Sequence, residues 1–156
     1  MTSPELKFDL PTRRSTQRLA QLIAPTLAQA DLVILTGPLG SGKTFFVRAL
    51  CRALGLPATQ RVTSPTFTLV QEHDTVPPLS HADLYRLNGP EQLPELGLDA
   101  QRDDGRLLLV EWGEPYIEQL GGDALVLTFA LDPRRAVVSA TGRRSRAILA
   151  ELSAKG

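Results

Sequence analysis

The chain has 156 residues, of which 42% are hydrophobic and 22% charged, proportions that exclude a disordered, fibrous or membrane-embedded class. Seventeen basic residues balance seventeen acidic ones and Cys51 is the only cysteine, so neither a strong overall pull on nucleic acid nor an internal disulfide is available. No stretch approaches the roughly 18 apolar residues that span a bilayer, and Met1 to Arg14 holds no apolar run of signal-peptide length, so a single domain over residues 1–156, located in the cytoplasm and away from membranes, is expected.

In chain order, Glu5 to Leu10 alternates as a short strand does, and Ser15 or Thr16 is a candidate cap for a helix presenting Leu19, Leu22, Ile23 and Leu27 on one face, with Pro25 as a kink. The continuous apolar run Leu32-Val33-Ile34-Leu35 suits a strand covered on both faces, and a glycine-rich turn leads from it into a helix from Lys43 to about Leu54, stopped by Gly55. Cys51 lies at helical spacing beside Val47, Leu50 and Leu54 and reads as core. Thr66 to Glu72 and Leu79 to Leu84 have strand character and are expected to pair antiparallel across Pro77-Pro78. Beyond them the pattern predicts a short helix over Glu91 to Leu98, a second buried strand over Leu107 to Glu111, a hairpin of Ala124 to Leu131 with Ala136 to Thr141, and a closing helix from Arg144 to Ala154. Strands alternate with helices in the first half and follow one another through short turns later, which predicts an α/β fold with a mixed sheet flanked by helices.

Charge is uneven locally: Glu91 to Asp123 carries nine acids against two arginines, and Arg134 to Gly156 six bases against Glu151 alone. Solvated faces account for most of this, and without interleaved aromatics the basic end is a weak candidate for phosphates or an acidic partner.

Gly37-Pro38-Leu39-Gly40-Ser41-Gly42-Lys43-Thr44 fits the phosphate-loop pattern of glycine, four residues, glycine, lysine, then serine or threonine. The glycines let successive peptide N–H groups turn inward around phosphate oxygens at the positive end of the following helix. Lys43 adds a mobile charge for the outer phosphates, and the Thr44 hydroxyl suits magnesium, which prefers oxygen donors. Leu107 to Val110 ends in Glu111, a carboxylate at the tip of a buried strand, as in a Walker B element; Glu111 and Thr44 are expected to share one magnesium, directly or through water.

Val62-Thr63-Ser64-Pro65-Thr66-Phe67 reads either as a capped loop or as a switch whose Ser64 or Thr66 hydroxyl senses magnesium or the terminal phosphate. In the alternating run His81 to Arg86, Asp83 shares a face with His81 and Tyr85 and is a candidate for orienting an attacking water; a hydrogen-bonded surface acid is the other reading. His73 and His81 lack companions at metal spacing and read as structural, and Trp112 taken alone reads as core packing.

Gly-Pro-Leu-Gly-Ser-Gly-Lys-Thr at 37–44, Ser-Pro-Thr-Phe-Thr-Leu-Val at 64–70, His-Ala-Asp-Leu-Tyr-Arg at 81–86 and Val-Glu-Trp at 110–112, in this order, resemble the bacterial TsaE (YjeE-like) ATPases of tRNA threonylcarbamoyladenosine biosynthesis over essentially the whole chain. The resemblance implies a phosphate-loop NTPase-like three-layer sandwich, with a mainly parallel central sheet and antiparallel additions. It further implies a magnesium-dependent ATPase that joins TsaB and TsaD, binds ATP at their interface, and supports repeated modification of tRNA, which it meets indirectly through the complex. By the same resemblance, residues 37–44 and the adjoining Phe45 contact nucleotide, Lys43 and Thr44 hold phosphate and magnesium, Glu111 holds magnesium, Asp83 supports hydrolysis, and Trp112 belongs to the site. Ser64, Pro65, Thr66 and Phe67 are then the switch, and Thr12 and Arg134 are the nearest candidates for further nucleotide contacts. Pro38-Leu39 stands where an acid or asparagine before leucine is common in the family, and Ser41 where alanine is common, without removing a needed glycine, lysine or hydroxyl.

A small kinase acting on a metabolite is the second reading; it requires an arginine-rich lid, for which only Arg102 and Arg106 are at hand. A GTP-controlled module is the third, and its Asn-Lys-x-Asp signature has no place, because the only asparagine, Asn88, precedes Gly89. No arginine finger is evident in the chain, so slow turnover alone and acceleration by partners are expected.

Overall fold

The computed structural model describes residues 4–62 and 70–155. Its strands are β1 (Leu6–Asp9), β2 (Leu32–Thr36), β3 (Val70–His73), β4 (Leu79–Asp83), β5 (Leu107–Glu111), β6 (Leu125–Ala130) and β7 (Arg135–Ala140), and its helices α1 (Arg13–Ile23), α2 (Lys43–Ala53), α3 (Leu98–Asp103) and α4 (Arg143–Lys155). The seven strands form one sheet in the order β1-β7-β6-β2-β5-β4-β3. The four central strands, β6, β2, β5 and β4, run parallel, and antiparallel pairing with β7, β1 and β3 extends the sheet at its two margins.

The apolar runs of β2 and β5 follow from covering on both faces. Val33 and Leu35 of β2 join Leu107 and Leu109 of β5 in a core closed by Leu19 and Ile23 of α1, Phe46 and Leu50 of α2, and Ile148 and Leu152 of α4. Leu32, Ile34, Leu108 and Val110 face the other way, onto Leu93, Leu98, Tyr116 and Leu120. Helices lie on both faces, which makes three layers. Phe46 at the base of α2 meets Phe129 of β6 with ring centroids 5.5 Å apart, a tilted aromatic contact that anchors the helix behind the phosphate loop to the sheet. Cys51 is fully buried in the same core, and burial pushes its thiol up to about 11.

Three local expectations change. Periodicity places the cap of α1 at Ser15 or Thr16, whereas the cap is Thr12: its hydroxyl accepts from Ser15 N and Ser15 Oγ accepts from Thr12 N, each at 3.1 Å. Ser15 therefore closes a capping box from inside the helix, and its hydroxyl also donates to the Thr12 carbonyl. Instead of continuing to Leu27, α1 ends at Ile23 and passes into a 3-10 turn, Ala24–Thr26, at Pro25, because proline has no N–H to sustain the α-helical bonding. The helix expected over Glu91 to Leu98 is a 3-10 segment, Pro90–Leu96, broken from α3 by Gly97; Pro90 and Pro94 disfavour regular α-helical bonding across it.

At the far end of the sheet α4 is held by a side chain from another loop. Asp123 accepts hydrogen bonds from Arg144 N at 2.8 Å and Ser145 N at 2.9 Å, and Arg144 pairs with Asp31 at 3.0 Å.

Candidate active site

The phosphate loop leaves the carboxyl end of β2 and returns as α2, the edge of a parallel sheet where ligands bind in this architecture. Two of its glycines are dictated by geometry. A Cβ on Gly37 would lie 2.5 Å from the Phe129 carbonyl oxygen, so only glycine lets the loop run so close to β6. Gly42 caps α2 at φ +103, a left-handed conformation that a side chain resists.

Lys43 opens α2 and is 5% exposed. Its ammonium donates to the Gly37 carbonyl and lies 3.8 Å from the centroid of the Trp112 ring. Burial lowers its pKa, and the charges of Glu111 and Asp83 oppose that shift. The side chain is thus largely shielded from solvent and lies in the field of two carboxylates. Thr44 occupies the first turn of α2, half-buried.

The two acids arrive on neighbouring strands. The register of β4 on β5 places Asp83 opposite Glu111, and that of β5 on β2 places Glu111 opposite Leu35, one residue before the end of β2. Asp83 is half-buried, and its Oδ1 accepts from Tyr85 N at 2.9 Å. Burial raises its pKa, the Tyr85 hydrogen bond opposes the rise, and Glu111 adds to it. Glu111 is 3% exposed, and its Oε2 lies 2.6 Å from His81 Nε2, a ring that is fully buried. His81, expected to be structural, thus touches the carboxylate of Glu111. His73 is buried elsewhere, its carbonyl taking a hydrogen bond from Arg106.

Trp112 is not simple core packing. It adopts φ +60, is half-buried, and lies between Lys43 on one side and Tyr85, whose ring centroid is 5.0 Å from its own. Beyond it, Glu114 accepts from the Thr36 hydroxyl at 3.2 Å, which adds a third carboxylate at this edge.

On the other side of the loop a cleft of about 300 Å³ gathers Thr12, Arg13, Ser41, Gly42, Phe45, Arg48 and Arg134. Thr12 and Arg134, distant in sequence from the loop, thus share a cavity with it. Pro38 and Leu39 instead project outward at its tip, Leu39 being 73% exposed. Arg13 and Arg48 carry no motif and were not expected here; Arg13 lies over the Phe45 ring at 5.5 Å, and Arg48 Nε donates to Val62 O at 2.8 Å. Ser64, Pro65, Thr66 and Phe67, the expected switch, fall outside the described residues. Arg102 and Arg106 do not face the site: Arg102 donates to Leu120 O and Arg106 to Ser80 Oγ and Leu79 O.

These residues suit a magnesium nucleotide. Ser41 Oγ is buried without a partner among the described residues, a hydroxyl that ligand oxygens can satisfy. No group of three His, Cys, Asp or Glu among the described residues is placed to hold a metal by itself. One hydroxyl and one carboxylate, Thr44 and Glu111, are the kind of donor set magnesium takes when phosphate oxygens and waters complete its shell.

A glycine-rich loop between a central parallel strand and its helix, with acids at the tips of the next two strands on one side, defines a P-loop NTPase fold. The profile of the family described as "Threonylcarbamoyl adenosine biosynthesis protein TsaE" matches residues 10–137. The chain is 35% identical over 153 residues to the tRNA threonylcarbamoyladenosine biosynthesis protein TsaE of Bacillus subtilis, covering 96% of this chain and 94% of that one. To the protein of the same description from Streptomyces coelicolor it is 41% identical over 115 residues, covering 71% and 76%. It superimposes on the crystal structure of Bacillus subtilis YdiB with a TM-score of 0.80 at 31% identity, covering 99% and 98% of the two chains. The chain belongs to the TsaE family.

Proposed function

We propose that this chain, acting as one domain, binds ATP with magnesium and hydrolyses it, slowly alone and faster with TsaB and TsaD, in support of N6-threonylcarbamoyladenosine modification of tRNA. The observation that supports it most directly is the meeting of Lys43, Asp83 and Glu111 at the carboxyl edge of the sheet beside the phosphate loop. Family membership supplies the pathway, and a cytoplasmic location accords with a tRNA substrate.

In the proposed reaction the loop amides at the mouth of α2 hold the phosphates. Lys43 leaves the Gly37 carbonyl for the terminal phosphate and stabilises charge there as water attacks its phosphorus and the bond to the β-phosphate oxygen breaks, releasing ADP and phosphate. Asp83 orients that water, and its half-buried carboxylate is fixed for the task by Tyr85 N. Thr44 and Glu111 would hold magnesium, which would supply charge neutralisation of the phosphates. Thr12 and Arg134 complete the nucleotide cleft with Phe45, and by family resemblance residues 64–67 and Trp112 respond to bound nucleotide.

The alternative, a metabolite kinase, finds no support in Arg102 and Arg106, which are spent on backbone carbonyls and Ser80 away from the loop. Reconstituted tRNA modification with TsaB and TsaD, with this chain added, omitted or carrying Lys43→Ala, tests the proposal. Multiple turnover is expected only with the unaltered chain; equal modification in all three reactions rules the role out.

A further inference from the structure

His81 has no place in the reaction as proposed, yet its environment is unusual for a core residue. It is fully buried, its Nε2 lies 2.6 Å from Glu111 Oε2, and its Nδ1 is buried with no hydrogen-bond partner among the described residues. An unpaired buried polar atom destabilises the folded state, because it has lost its hydrogen bonds to water without replacement. An apolar side chain at that position of β4 avoids this cost, so stability alone does not account for a histidine there. What the ring does supply is a donor aimed at one oxygen of Glu111. A carboxylate that holds a metal ion only accepts hydrogen bonds, so in the metal-bound state this contact is a hydrogen bond donated by Nε2.

The strands fix this geometry. His81 pairs in register with Leu109, and Asp83 with Glu111, so the imidazole reaches diagonally along β4 and β5 from inside the sheet, behind the carboxylate. From there it has no access to substrate, because the ring is 0% exposed. It is therefore not a base for the attacking water. Glu111 ends its strand with three rotatable side-chain bonds, and engaging Oε2 from behind leaves Oε1 as the oxygen turned away from the histidine.

We infer that His81 is a positioning residue, which orients the Glu111 carboxylate for magnesium through the Nε2–Oε2 hydrogen bond. The inference rests on the assignment of Glu111 to magnesium. Hydrogen-bond partners of metal-binding carboxylates typically set metal affinity by about 10- to 100-fold.

The experiment uses the full chain and a fluorescent ATP analogue, titrated first in chelator and then with increasing magnesium. Manganese binding in the presence of a non-hydrolysable ATP analogue, followed by electron paramagnetic resonance, gives a second readout free of turnover. His81→Leu removes the donor, and His81→Asn holds its amide short of Oε2. His81→Gln extends an N–H to about the reach of Nε2. His81→Leu and His81→Asn are expected to bind nucleotide in chelator as the unaltered chain does, and to need roughly 10- to 100-fold more metal for half-maximal effect. His81→Gln is expected to restore metal dependence to within about threefold.

Should His81→Leu fail to fold by circular dichroism, the contrast between His81→Asn and His81→Gln decides. Unchanged metal dependence in His81→Asn, or a defect in His81→Gln equal to that of His81→Asn, overturns the inference. Glu111→Gln separates this from the underlying reading: if it too leaves metal dependence unchanged, the magnesium role of Glu111 fails; if it alone raises the requirement, only the role of His81 fails.

Discussion

The ammonium of Lys43 rests 3.8 Å from the centre of the Trp112 ring while donating to the Gly37 carbonyl. A cation over an indole face is held by about 0.5–2 kcal/mol, little enough for phosphate oxygens to draw it away. Trp112 is the only tryptophan, so its fluorescence reports that movement without a label. Adding ATP and magnesium is expected to change the emission. Lys43→Ala removes a charged hydrogen bond of about 1.5–3 kcal/mol and should weaken binding roughly 10- to 100-fold. A calorimetric titration with the same midpoint in both proteins removes Lys43 from the phosphate site.

Asp83 and Glu111 face each other across β4 and β5, but their proposed tasks differ. Asp83→Asn keeps the shape and a hydrogen-bonding group while losing the carboxylate, so nucleotide affinity should stay within a few-fold and single-turnover hydrolysis with TsaB and TsaD should fall by about 100-fold or more. Quenched-flow measurement of phosphate release checks this. Normal release would make Asp83 a structural acid.

The buried Ser41 hydroxyl, without a partner among the described residues, yields a pair of opposite expectations. In the free protein Ser41→Ala relieves an unmet hydrogen bond and should raise stability by about 1 kcal/mol, whereas the bound nucleotide loses a contact worth a similar amount, or about fivefold in affinity. Thermal unfolding and calorimetric titration of the same variant measure both. A variant that is less stable and binds normally would show that the hydroxyl serves the loop itself.

Asp123 links acid sensitivity to α4. Burial opposes its ionisation, but the hydrogen bonds from the Ser145 side chain and from the Ser145 and Arg144 backbones outweigh it, and the folded pKa lies below the ordinary carboxylate value. A folded pKa below the unfolded one stabilises the protein above the unfolded value near 4, and that contribution is lost as pH falls through the folded value. Asp123→Ala should cost about 0.5–2 kcal/mol at neutral pH, comparable to loss of a helix cap, and the gap from the unaltered chain should shrink below about pH 4. Urea unfolding at neutral and acid pH reads it directly; a gap independent of pH would assign the effect to packing.

Much of this was legible in the chain because it is local. Residues 37–44 are contiguous, and a motif whose backbone must wrap a phosphate declares itself in its glycines and lysine without regard to the rest of the molecule. Leu32 to Leu35 and Leu107 to Val110 announced doubly covered strands for the same reason: burial on both faces leaves an unbroken apolar run. Local rules also erred where two of them competed. Ser15 satisfies the preference for a cap yet sits inside α1, because Thr12 lies three residues earlier and the two side chains close on each other.

The contacts that complete the site belong to a different order. His81 meets Glu111 across thirty residues of sequence, and Thr12 and Arg134 enter the cleft of the phosphate loop from opposite ends of the chain. None of these pairs is encoded by spacing. Their proximity depends on strand order and register, and shifting β4 by one residue against β5 would turn His81 to the opposite face of the sheet. Residue types and local pattern thus named the candidate residues, and pairing between distant strands, a property only of the folded sheet, decided which of them touch one another.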